Sequence, residues 1–212
     1  MYTQLHFDTG VTNMSKPKIA VIISSTRPTR FGDKPAKWIA DHAAARGDID
    51  VEIVDLRDFD LPLFDAPASD AWMPTPNPVA AKWQAKLNEF DGYIFVVAEY
   101  NRSITGALKN AIDWAYTPFA KKAAAFVGYG SVGGARAIEH LRNIMVELQV
   151  APVRHGIHIG GSDFVPIMMG QKTWDDTKGN FDFFVPDLLN NLVWWTNATK
   201  TAREAEAATK VA

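Results

Sequence analysis

Five short apolar runs recur along the chain, each followed by a loop and then a helical or irregular stretch. They are Lys18 to Ile23, Val51 to Asp55, Tyr93 to Val97, Ala123 to Gly128 and Val153 to Ile159. Lys18-Ile19-Ala20-Val21-Ile22-Ile23 is apolar on both faces, the mark of a strand buried in a parallel sheet. Helical patterns fall at about 34–46, 79–90, 106–116, 134–148 and 181–200, and Gly47 is placed to end the first. Parallel strands need crossovers of about a dozen residues or more, which these gaps supply. The alternation therefore predicts an α/β protein with a five-stranded parallel sheet and helices on both faces. At 212 residues one such domain fits, expected over 17–200. Residues 1–16 read as an N-terminal extension. Residues 201–212, rich in Ala, Lys and Glu, read as a frayed C-terminal tail. The segment 56–78 is proline-rich and reads as irregular.

Composition removes several classes of chemistry. The chain has no cysteine, which excludes disulfides, thiolate catalysis and Cys-ligated metal, and suits a reducing cytosol. Its five histidines lack HExxH spacing, so no metal site is expected. A net charge of −2 argues against nucleic acid as a partner. No apolar run approaches the roughly 18 residues of a membrane span. Residues 1–15 do not read as a signal peptide, so a cytoplasmic location is expected.

In an open parallel sheet the ligand sits outside the C-terminal strand ends, near the point where strand order reverses. Three loops there carry unusual chemistry. After the first strand comes Ser24-Ser25-Thr26-Arg27-Pro28-Thr29-Arg30-Phe31-Gly32. Hydroxyls and backbone N–H groups donate to phosphate oxygens, and arginine adds a charge-assisted bond. The following helix adds unpaired N–H groups and its positive dipole end. The loop suits a monophosphate, with Ser25, Thr26, Arg27, Arg30, Phe31 and Gly32 as candidate ligands. The competing reading is an N-cap with solvated arginines.

The second loop, Ala98-Glu99-Tyr100-Asn101-Arg102-Ser103-Ile104-Thr105-Gly106, leads into Ala107-Leu108-Lys109-Asn110-Ala111-Ile112-Asp113-Trp114. This stretch resembles the signature of the NADPH-dependent FMN reductase family, a Pro-Glu-Tyr-Asn loop followed by a Pro-Gly-x-Leu-Lys-Asn-Ala-Ile-Asp-Trp helix. Ser25 and Arg27 also match that family's Gly-Ser-x-Arg phosphate loop. The resemblance covers roughly residues 17–160. It implies a flavodoxin-like three-layer sandwich with strand order 2-1-3-4-5, bound FMN, and NADPH or NADH as co-substrate. Glu99, Tyr100, Asn101 and Arg102 become candidates for the flavin ring, with Tyr100 packing beside it. Lys109, Asn110 and Asp113 read as helix scaffolding. The chain departs from the pattern at Ser24, which stands for a glycine, and at Ala98 and Thr105, which stand for prolines. Without those prolines the loop is expected to be less rigid.

The third loop, Gly128-Tyr129-Gly130-Ser131-Val132-Gly133-Gly134, matches G-x-G-x-x-G literally. That supports a rival, a dinucleotide-binding domain. Such a fingerprint belongs on the first strand of its unit and wants an acid about 20 residues on. Here it follows the fourth strand, and the later residues read Val153-Arg154-His155. In the resembled family a Gly/Ser loop flanks the flavin ring, which makes Ser131, Gly133 and Gly134 candidates. Glycine lets backbone approach a flat ligand.

These readings converge on an FMN-dependent NAD(P)H oxidoreductase. The flavin carries the hydride chemistry, so no catalytic side chain is named. The acceptor would be a flavin, quinone, azo compound or metal oxyanion. A flavodoxin-type electron carrier, without nicotinamide turnover, is the alternative. Seven tryptophans are many for this length, and Trp72, Trp83, Trp114, Trp174, Trp194 and Trp195 suggest a homodimer or homotetramer interface.

Overall fold

The computed structural model describes residues 15–211. Five parallel strands form one sheet in the order β2-β1-β3-β4-β5. They are β1 (Lys18–Ile23), β2 (Asp50–Asp55), β3 (Gly92–Ala98), β4 (Ala123–Tyr129) and β5 (Ala151–Ile159). The helices are α1 (Asp33–Ala45), α2 (Pro78–Asn88), α3 (Gly106–Asp113), α4 (Ala135–Glu147), α5 (Gly161–Met168) and α6 (Val185–Val211). This is the flavodoxin-like sandwich and strand order expected above.

Alternation along the strands explains the two cores. Ile19, Val21 and Ile23 of β1, with Ile94, Val96 and Ala98 of β3, face α1 and α6. Ala20 and Ile22, with Tyr93, Phe95 and Val97, face α2, α3 and α4. Both faces are covered, so every residue of β3 and β4 is buried. On α1, Ala36, Ile39, Ala40 and Ala43 recur at helical spacing on one buried stripe. Asn77 caps α2 through bonds to Val79 N and Ala80 N at 2.9 and 3.1 Å, with Pro78 at the first helical position. Gly47, at φ +74°, follows α1 in the left-handed region, as a helix-ending glycine does.

The structure departs from expectation in three places. Residues 161–168 form α5, and Leu56–Asp58 and Lys178–Phe184 form 3₁₀ turns. The tail does not fray at residue 201. Helix α6 continues to Val211, tied by Arg203 to Lys121 O at 2.7 Å and to Asp91 at 3.0 Å, and by Glu206 to Lys121. Of the expected extension, residues 1–14 lie outside the described residues. Three of the tryptophans assigned to an interface pack within the chain: Trp83, Trp114 and Trp174 are buried, while Trp72, Trp194 and Trp195 are exposed.

At the sheet's other end, Lys122 is buried with its ammonium on Leu87 O at 3.2 Å and Tyr93 Oη at 3.1 Å. Burial pushes this lysine down to about 8. An unfolded lysine stays protonated to about 10.4. From about pH 8 upward the unfolded chain therefore binds the extra proton, and this site's contribution to stability grows with pH. Burial raises the Tyr93 phenol, which opposes the trend only above about pH 10. Lys122→Met is expected to flatten the rise between about pH 8 and pH 10. Urea midpoints across that window check it; an unchanged slope would discharge Lys122 as its source.

Candidate functional site

Loops one and two are joined beneath their surfaces. Ser24 is fully buried and makes three ties: its N–H donates to Val96 O, its hydroxyl accepts from Ala98 N, and its carbonyl accepts from Thr105 Oγ1 at 2.7 Å. The Thr105 hydroxyl also accepts from Leu108 N and so caps α3. The loop expected to be loose is therefore pinned by the two residues that replace the family's glycine and second proline. Hydrogen bonds take over what proline's fixed φ would supply.

Above this base stand the predicted phosphate residues. Ser25 Oγ pairs with Tyr100 Oη at 2.8 Å. The Arg27 guanidinium lies 5.9 Å from the Tyr100 ring centre and is exposed, with no carboxylate partner among the described residues. Gly32 flanks the start of α1, and no side chain caps that end. A free cation, hydroxyls and an uncapped helix start therefore face one loop, and this set fits an anion such as a phosphate.

Arg30 is engaged within the chain. All five of its N–H donors are taken: Nη1 by Ser25 O and Asp55, Nη2 by Asp33 and Asp55, Nε by Asp33. The side chain is 2% exposed. It latches loop one to the end of β2. Burial works against the charge of Asp55, but its bonds to Arg30 prevail and hold the carboxyl below the usual range. Phe31 points inward as well, packing edge-on against Tyr129, Phe164 and Trp174 at 5.2 to 5.5 Å.

In loop two, Tyr100 and Ser103 exchange backbone bonds at 3.0 Å around Asn101 and Arg102. Both central residues have positive φ, 51° and 68°, as a type I′ turn requires. Arg102 is exposed and has no carboxylate partner among the described residues. Glu99 is tied to helix α4. Its nearly buried carboxylate accepts from Arg136 N at 3.1 Å and pairs with the Arg136 guanidinium, capping α4 from outside.

The chain's own backbone packs closely against the glycines of loop three. A Cβ on Gly134 would stand 2.7 Å from Tyr129 N, and one on Gly128 would stand 2.7 Å from Gly133 O. The turn folds back onto β4. Gly133, at φ +69°, lies against β5, where His158 Nδ1 donates to Gly133 O at 3.1 Å. Ser131 is exposed at the tip, and its carbonyl accepts from Gly161 N, linking the loop to α5. The glycines of G-x-G-x-x-G thus let this turn pack against β4 and β5.

A cavity of about 340 Å³ opens beside loop one, between Thr26, the segment Leu56 to Leu61 and the Ala107 end of α3. Of the predicted residues, Thr26 alone lines it. Sequence reasoning did not single out Thr105, Asp55 or Tyr129 as site residues. The pairing of Asp55 with Arg30 across 25 residues leaves no local signal.

Fold and site together define a flavodoxin-like α/β protein with an anion-ready loop at its first strand. The family model for NADPH-dependent FMN reductase matches residues 17–163. An NAD(P)H-dependent FMN reductase of Nectria sp is 34% identical over 146 residues, covering 65% of this chain and 73% of that protein. A 2-hydroxy-1,4-benzoquinone reductase of Burkholderia sp is 34% identical over 140 residues, covering 63% and 72%. The flavoenzyme NAD(P)H:(acceptor) oxidoreductase of Paracoccus denitrificans shares the fold with a TM-score of 0.65 at 22% identity, over 86% of this chain and 98% of that one. The chain belongs to the NADPH-dependent FMN reductase family.

Proposed function

We propose that the protein is an FMN-dependent NAD(P)H oxidoreductase that passes hydride from a nicotinamide cofactor, through bound FMN, to a small planar acceptor. Family membership supports the reaction class, and relatives named as FMN and quinone reductases support flavin or quinone as the acceptor. The observation that carries the cofactor reading is Arg27, a cation with no carboxylate partner among the described residues, standing beside Tyr100 in the loop that leads into the uncapped start of α1.

Bound FMN supplies the hydride chemistry. Arg27, Ser25 and Thr26 hold its phosphate, with the backbone of Gly32 at the head of α1. Tyr100, Asn101 and Arg102 border the ring on one side, and the Ser131 to Gly134 turn borders it on the other. The ties of Ser24 and Thr105 hold loop one against loop two, so that the phosphate and ring residues would be presented together. No helix among the described residues is long and apolar enough to cross a membrane, and a cytoplasmic site of action suits a chain without cysteine. A homodimer or homotetramer is supported by large exposed apolar side chains: Leu63, Trp72, Phe183 and Trp194 each show more than half of their surface. Light scattering decides this, and a clean monomer mass would remove it.

The cofactor reading is tested with Arg27→Ala. Wild type should bind one FMN per chain. The variant should lose about 1.5–3 kcal/mol of FMN affinity, the worth of a hydrogen bond to a charged group, at unchanged thermal stability. Equal FMN titrations for the two proteins would remove Arg27 from the phosphate site.

A further inference from the structure

Tyr129 closes β4, and its hydroxyl is shielded from solvent yet has no hydrogen-bond partner among the described residues. The residue is 4% exposed. A buried hydroxyl left unpaired destabilises a fold, and phenylalanine at this position would avoid the cost. The neighbouring Ser25 hydroxyl pairs with Tyr100 at 2.8 Å. Burial raises the Tyr129 phenol well above its ordinary value, with Tyr100 adding to the rise and the nearby Ser25 hydroxyl and Arg30 opposing it, so the group stays protonated as a neutral donor.

Its location gives the hydroxyl a use. Tyr129 Oη lies 2.9 Å from where a Cβ on Gly32 would stand. Gly32 has φ −55° and ψ −22°, ordinary values open to any residue. Glycine is therefore not required there by backbone strain. Asp, Asn or Ser would cap α1 through a side chain and glycine cannot. What glycine provides is the space the Tyr129 hydroxyl fills. Two residues thus forgo stability at one spot: a helix start left without a side-chain cap, and beneath it a buried donor without an acceptor. A single anion at the head of α1 would satisfy both.

We infer that Tyr129 is a cofactor-binding residue whose hydroxyl donates to a phosphate oxygen of FMN at the head of α1, in the space Gly32 leaves open. This rests on the FMN reading above and adds to it a ligand from the fourth strand, reaching the phosphate loop from below.

The test compares Tyr129→Phe with wild type in three measurements: apo-protein melting, FMN titration and riboflavin titration. Riboflavin carries the same ring and ribityl chain without the phosphate. The expected result is an apo melting temperature equal to or above wild type, FMN affinity weakened about ten- to hundredfold, as for a hydrogen bond to a charged group, and riboflavin affinity unchanged. Gly32→Ala, which displaces the hydroxyl, should reproduce the selective loss of FMN. Unchanged FMN affinity in Tyr129→Phe overturns the inference and leaves the FMN reading standing. Equal losses for FMN and riboflavin, or a lower apo melting temperature with both weakened, assign Tyr129 to packing and overturn it too. A wild-type protein that binds no FMN ends both readings together.

Discussion

Asp55→Ala is expected to destabilise the protein by about 3 kcal/mol, the lower end of the range for removing one partner of a buried ion pair. The Arg30 side chain is 2% exposed and gives two of its N–H groups to Asp55, at 2.6 and 2.5 Å. Without Asp55 the guanidinium keeps Asp33, which is half exposed, and the Ser25 carbonyl. A buried cation would then lack its main counter-charge. The loss also frees Arg57 N, which Asp55 caps at the start of the 3₁₀ turn. The lower figure is chosen because Asp55 is 19% exposed and Asp33 remains. Acid should mimic the substitution. The folded pKa of Asp55 is depressed, so its contribution is present above the unfolded value of 3.8 and is lost as pH falls through the folded one. Urea unfolding measures both. A loss below about 1 kcal/mol, the scale of a surface pair, would show that Arg30 is not a latch.

Gly133→Val should cost a similar amount, about 3 kcal/mol, from two sources of about 1–3 kcal/mol each: a left-handed backbone for a branched residue, and overpacking. Gly133 sits at φ +69°, and a Cβ there would stand 2.9 Å from His158 Cβ and 3.3 Å from its carbonyl carbon. The neighbour is strand backbone and cannot swing aside. Gly47 is the control: φ is +74° there, yet nothing lies within 4 Å of a built Cβ. Gly47→Val therefore carries the backbone strain alone, and the difference between the variants reports the packing of loop three on β5. If both lose the same stability by urea midpoint, the turn is not held against His158.

The sheet was legible because its inner strands β1, β3 and β4 are buried on both faces, which leaves unbroken apolar runs such as Lys18 to Ile23 and Tyr93 to Val97. Helix α5 was not. Its apolar residues Phe164, Val165, Ile167 and Met168 are interrupted by Pro166, and none of its residues is fully buried, so no helical stripe stands out. The candidate site was legible as three loops but not as individual roles. Arg27 and Arg30 look alike in the sequence. Which one is free depends on Asp55, brought beside Arg30 by the pairing of β1 with β2. Glu99 matches its family motif, yet its carboxylate serves Arg136 across 37 residues. In Gly128 to Gly134 the pattern announced a need for glycine without saying whether a ligand or the chain's own backbone would press against it, and the observed contacts are with β4 and β5. Tyr129 falls at an x position of G-x-G-x-x-G, and its unpaired hydroxyl shows only in three dimensions.

The most direct measurement is anaerobic mixing of the FMN-loaded protein with NADPH and, separately, with NADH, followed by addition of a quinone. For an FMN-dependent NAD(P)H oxidoreductase, the yellow flavin absorbance bleaches with at least one nicotinamide within the turnover time and returns when the quinone is added. A protein that holds FMN tightly but keeps its colour with both nicotinamides would contradict this function and leave an electron carrier in its place.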